Sequence, residues 1–175
     1  MLSTSERMTD RPGTAGFAGW LRDGLIGIVV AALAVGGVLL VGQRNHDATQ
    51  RAGAQALAAA RTAAVAVLSY DYRHLDEDFA AATAHTAQPF TAEYQQTTTK
   101  AVRPVATKNA AVVKAVVSAA GVVRAATDRV VVLAFVNQTT SSSRLQRPQV
   151  DQNRVELTMV RGAGGRWLVA GVRAM

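Results

Sequence analysis

The sequence predicts a small α+β domain behind a single membrane-spanning helix, and three observations carry that reading. Residues 24–42 (GLIGIVVAALAVGGVLLVG) hold neither a charge nor a strongly polar group. Residues 47–69 are alanine-rich with no proline and repeat apolar residues every three or four positions, the spacing of one helix face, and two further helices are expected before Pro104. After Ala110 the chain turns to valine-rich stretches separated by turn residues, the pattern of strands.

The apolar run comes first. Nineteen residues at helical rise reach about 28 Å, close to the roughly 30 Å hydrocarbon core of a bilayer. A helix is the one open-ended element that satisfies its own backbone in lipid. Arg22 and Asp23 close the run on one side, and Gln43, Arg44 and Asn45 on the other. Ala32-Leu33-Ala34 has the small-x-small form of a signal cleavage site, but it lies in the middle of a run longer than a signal peptide uses. The organisation expected is a cytoplasmic tail over 1–23, a transmembrane helix over 24–43, a helical stalk and first helix over 44–69, and an extracytoplasmic domain over 70–175. Arg11 and Arg22 face Arg44 and Arg51 across the span, so charge alone leaves the orientation near a tie. The short leading tail favours the N-terminus inside and the domain outside. Gly24, Gly27, Gly36, Gly37 and Gly42 allow close approach of partner helices.

In the first helix, Leu57, Ala60, Ala64, Leu68 and Tyr72 share a face. A second helix is expected from Leu75 to Ala87, with Asp76, Glu77 and Asp78 in the first turn, where negative charge favours the helix N-terminus. Pro89 ends it. A third, Phe90 to Ala101, ends before Pro104. Strands are expected at 111–124, 129–139, 151–161 and 166–173. The second carries apolar residues on both faces: Val131, Leu133 and Phe135 on one, Val130, Val132 and Val136 on the other. It is therefore read as a central strand covered on both sides. Gly162-Ala163-Gly164-Gly165 reads as a hairpin loop. Helices first and an antiparallel meander after give helices packed on one face of a curved sheet.

Chemistry is sparse. There is no cysteine, which excludes disulfides, thiolate metal sites and cysteine catalysis. His46, His74 and His85 have no metal-ligand spacing, so no metal is expected. The glycine loop lacks the Lys-Ser/Thr and helix of a phosphate loop, and no cofactor is expected. Asn137-Gln138-Thr139 matches a glycosylation sequon inside a strand, where a polar strand-end ladder explains it better. Tyr70, Asp71, Tyr72, His74 and Asp76 are the candidates for acid–base work. Their place at a helix junction speaks for capping instead, so the chain is read as not an enzyme. The side chains of 1–23 sum to zero, so the whole formal charge of +7 follows the span. A basic domain beside a bilayer suits anionic headgroups or an acidic protein. Nucleic acid is not expected, because the arginines are scattered and no stacking aromatics accompany them.

Four segments carry a family resemblance: LSYDYRHLD (68–76), FVNQTT (135–140), VDQNRV (150–155) and GRWLV (165–169). In this order behind one span they resemble the Mce-associated membrane proteins of actinobacteria. Lysine supplies only three of the nineteen Lys and Arg, a bias that suits a GC-rich genome. The resemblance covers 24–175. It implies an NTF2-like cone, similar to nuclear transport factor 2, of about three helices on a curved antiparallel sheet. It also implies an accessory or stabilising role in Mce-type import of lipid or sterol across the envelope, with transporter subunits and the membrane as partners and lipid as a candidate ligand. The family lends no catalytic residues. Tyr70, Asp71, Tyr72, Asn137, Gln138, Asp151 and Trp167 remain as structural motif candidates. The architecture also resembles the VirB8-type assembly components of secretion systems, and an apolar-ligand-binding cone is the third reading.

Overall fold

The computed structural model describes residues 46–175, which form one compact unit. The expected tail (1–23), transmembrane helix (24–43) and first residues of the stalk lie outside the described residues. Among the described residues, no helix is long and apolar enough to cross a membrane.

Helix α1 occupies 46–68. Its alanines set its position. Ala52, Ala56, Ala60, Ala63 and Ala64 are fully buried and step by three or four along one face. Side chains this short let the helix lie close on the sheet. A Cβ added at Gly53 would already meet Ala125 Cβ at 3.7 Å. Leu57 and Leu68 flank the stripe and pack on the same core.

The sheet is an antiparallel meander in the order β1 (Tyr70–Asp71), β2 (Val112–Ala125), β3 (Arg129–Ser141), β4 (Gln149–Arg161) and β5 (Trp167–Ala174). Register shifts at Val117/Ala119, Val122/Arg124 and Thr158/Met159 curl it. Its inner face carries Val130, Val132, Val136, Val155, Leu157, Met159 and Val169, all buried under the alanine stripe. The β4–β5 loop is a tight turn in which Gly164 and Gly165 take φ of 79° and 77°, as the glycine run anticipates.

The other face corrects an expectation. β3 is central, pairing with both β2 and β4, but only one of its faces is covered. Val131 and Leu133 are half-buried and Phe135 is 43% exposed. The helices all belong to one layer, so the outward row of β3 has no element to cover it among the described residues.

Helix α2 (Leu75–Thr83) is a turn shorter than expected. The chain leaves it to pair with β5: Ala87 N–H donates to Val169 C=O and Val169 N–H to His85 C=O, both at 2.8 Å. These bonds end the helix before Pro89 can. Helix α3 (Phe90–Thr97) runs through a π-helical turn (Thr98–Val102) into α4 (Arg103–Lys108). Pro104 therefore does not end a helix. It sits in the first turn of α4, where its missing N–H has no intrahelical role. Leu75, Phe79, Ala106 and Ala111 form a second small core, with Tyr70, Tyr72 and Val102 against it. Its buried hydroxyl is satisfied, since Thr98 Oγ1 donates to Tyr94 C=O at 2.8 Å.

Candidate functional site

The residues singled out in the sequence fall in three places. Tyr70, Asp71 and Tyr72 form the corner between α1 and α2. Two of them pair with β2, Tyr70 opposite Val113 and Asp71 opposite Val112, and Tyr72 N–H donates to Ala111 C=O. The Asp71 carboxylate accepts from Arg73, through its backbone N–H and its guanidinium. The Asp71 N–H in turn donates to Asp78 Oδ2 at 2.7 Å, and the Asp71 carbonyl accepts from His74 N–H at 2.9 Å. Asp76 pairs with Arg103 at 2.6 Å, and the Arg103 guanidinium lies 5.6 Å from the Phe79 ring centre. Phe79 stacks edge-on against Tyr70 and Tyr94.

This arrangement fixes the protonation states. The Arg73 side chain and backbone N–H hold the Asp71 carboxyl well below the usual carboxylate range. Burial raises the Tyr70 phenol, and burial with the Asp78 charge pushes the Tyr94 phenol up to about 12. At neutral pH the carboxyl is therefore ionised and both phenols are neutral. Acid–base catalysis needs a group poised near the working pH, and these three are moved away from it. The corner ties a helix to a sheet edge.

The second place is the end of the central strands. Gln138 donates from Nε2 to Leu68 C=O at 3.0 Å, and its Oε1 accepts from Asn153 Nδ2 at 2.7 Å. Ser69 Oγ accepts from Ala115 N–H at 3.0 Å. Together these bonds fasten the last turn of α1 across β2, β3 and β4. Asn137 lies one residue from Gln138 on the opposite, outer face, where it pairs with Gln152. There it lines an open groove of about 470 Å³ with Ser118, Phe135 and Arg154. Asp151 is exposed and accepts from Gln149 Nε2 at 2.9 Å.

Trp167 is the third place. It is buried at the start of β5, with the Arg161 guanidinium 6.0 Å from its ring centre. Its indole N–H has no hydrogen-bond partner among the described residues. No cluster of three or more His, Asp or Glu suited to a metal occurs among them either.

The structure thus separates the candidates. Tyr70, Asp71, Tyr72 and Gln138 take part in bonds between elements and Trp167 lies in the core, whereas Asn137 lines an open groove and Asp151 is exposed. Sequence reasoning missed Phe135 as a surface residue. Its partners on the neighbouring strands are Ala119 and Arg154. Arg154 in the alternating β4 pattern was the available signal, since a charged residue directly opposite marks the wet face.

Known structures share this architecture. An IcmL-like type IV secretion system protein from Legionella pneumophila superposes with a TM-score of 0.57 at 17% identity, over 70% of this chain and 91% of that one. The periplasmic domain of DotI gives 0.55 at 15% identity over 68% and 91%. The VirB8 protein of Agrobacterium tumefaciens gives 0.56 at 13% identity over 67% and 88%. At these identities the likeness defines the fold: the domain is an NTF2-like cone of the kind found in VirB8-like proteins.

In sequence, the chain is 34% identical over 143 residues to an uncharacterized protein of Mycobacterium tuberculosis, found in two strains. The match takes in 81% of this chain and 64% of the relatives' own length. No family model matches the chain.

Proposed function

We propose that this chain is a non-catalytic accessory subunit of an Mce-type lipid or sterol import system, anchored by residues 24–43 with its cone outside the cytoplasmic membrane. The observation that carries a binding role over a chemical one is where the apolar side chains lie. The inside of the cone is filled by Val130, Val132, Leu157, Met159 and Val169 under the alanines of α1. The outer sheet surface exposes Phe135, and Val150 is exposed on the same face opposite Thr139. Exposed apolar side chains on a sheet face that no described helix covers suit protein contact. The family-like segments support the Mce assignment, and the secretion-system neighbours support an assembly role in an envelope complex.

The second reading is a VirB8-like component of another envelope complex, which the fold alone favours equally. A ligand-binding cone is the third reading; the buried Val, Leu and Met side chains between α1 and the sheet serve as the core there. The test is affinity purification of the tagged full chain from detergent-solubilised membranes. Recovery of Mce-type transporter subunits is the expected outcome. Recovery of secretion-type subunits alone would select the second reading, and recovery of no lipid-transfer subunit argues against the first.

A further inference from the structure

Strand β2 has an edge that the described residues leave almost bare. β1 pairs only with Val112 and Val113, and from Lys114 to Ala125 no described strand lies on that side. Side chains of α1 and its end take two of the edge groups. Ser69 Oγ accepts from Ala115 N–H at 3.0 Å, and Arg61 donates to Ala120 C=O at 3.2 Å. Between the helix and this edge runs an open groove of about 670 Å³, lined by Arg61, Thr62, Val65, Ala66 and by Ala115 to Val117. Val65 and Val116 in it are 39% and 61% exposed.

A bare strand edge beside an apolar groove is the geometry that accepts an added strand: backbone groups supply the pairing and the groove takes alternate side chains. Charge selects the occupant. The helix carries no Asp or Glu after Asp47, and β2 carries none at all, whereas Arg51 and Arg61 lie on one and Lys114 and Arg124 on the other. A second copy laid antiparallel on the same edge would bring basic residues against basic residues, which is unfavourable for directly opposed strands. We propose that the β2 edge docks an extended segment of a partner protein, one that alternates apolar with acidic side chains. On docking, the incoming N–H takes over Ala120 C=O, and Arg61 is released to a partner carboxylate. This deepens the reading of the chain as a protein-binding subunit and rests on it.

The test uses the purified full chain in detergent and two fluorescent octapeptides, Val-Glu repeated four times and Val-Lys repeated four times. The acidic peptide is expected to bind and the lysine peptide to bind at least about tenfold more weakly. Arg61→Glu should weaken the acidic peptide by about tenfold, while Val105→Glu on the far helix α4 leaves it unchanged. Hydrogen exchange locates the contact: bound peptide should slow the amides of Val117 and Val122 and leave β5 unaffected. Equal binding of both peptides, no binding, or protection confined elsewhere overturns the proposal. The absence of native cysteine allows a further check, with Thr62→Cys carrying a benzophenone. Cross-linking to residues 1–45 of the same chain, or to a second copy, would also overturn it. None of these readouts depends on the identity of the transporter. Peptide binding without recovery of Mce subunits removes the assignment and keeps the edge, and the converse removes the edge alone.

Discussion

Asp71 and Tyr94 set opposite pH limits. The Asp71 carboxyl is depressed in the folded state, so its contribution is fully present above the ordinary carboxylate pKa of about 3.9 and fades as pH falls below it. In acid titration of thermal stability, Asp71→Asn should therefore lose less than the wild type below about pH 4, the range set by that ordinary pKa. Tyr94 is the reverse case. Its phenol is raised to about 12, so the folded state holds a proton that the unfolded chain releases at about 10. Its contribution is complete below pH 10 and is lost as pH climbs towards 12. Tyr94→Phe should flatten the fall in melting temperature over that interval. Trp167 makes a further case at this scale. Because its indole N–H meets no hydrogen-bond partner among the described residues, Trp167→Phe should lose packing but no hydrogen bond within them, whereas Trp167→Ala should cost about 3–5 kcal/mol in urea unfolding.

Among the elements, α1 and the sheet depend on each other through small side chains. Ala60 is fully buried against the sheet, so Ala60→Leu should overpack the layer and destabilise by about 1–3 kcal/mol. The end of α4 holds a second opportunity. Ala111 N–H donates to Ala106 C=O and Ala110 N–H to Thr107 C=O, the paired bonds that close a helix through a left-handed residue. Here that residue is Ala110, at φ 47°, rather than glycine. Ala110→Gly should relieve the strain and stabilise the domain by about 1 kcal/mol, measured by denaturant midpoint. Such details mark how far the sequence could be read. The spacing placed Ala60 and Ala64 on the buried face of α1, although Tyr72, grouped with them, lies beyond the helix end, and the valine runs with their glycine turn gave the four long strands to within two residues at each end but not the short β1. The end of α2 was not legible, because the bonds that stop it come from Val169, over eighty residues away in the chain. Pro104 misled for a related reason: a proline that ends one helix also suits the first turn of the next.

The described domain has an apolar core under one face of the sheet and leaves the other face bare. Alternation alone assigned Phe135 to a covered face, since an apolar row looks the same whether it meets a helix, a partner or water. Only the count of layers resolves this, and that is a property of the complete fold. The same holds for the polar candidates: Gln138 fastens α1 to the sheet and Asp71 ties the β1 corner to α2, roles visible only once Leu68, Asn153, Asp78 and Arg73 are seen around them. In the proposed binding role, function rests on surfaces that the cone leaves open.

The measurement that tests this most directly is lipid uptake by cells lacking the chain and complemented with variants. If the cone works by docking, the wild type and Asp71→Asn should restore uptake alike, while Phe135→Glu, folded by circular dichroism, should fail. Loss of uptake with a folded Asp71→Asn, alongside full rescue by Phe135→Glu, would contradict the account and place chemistry at the corner instead.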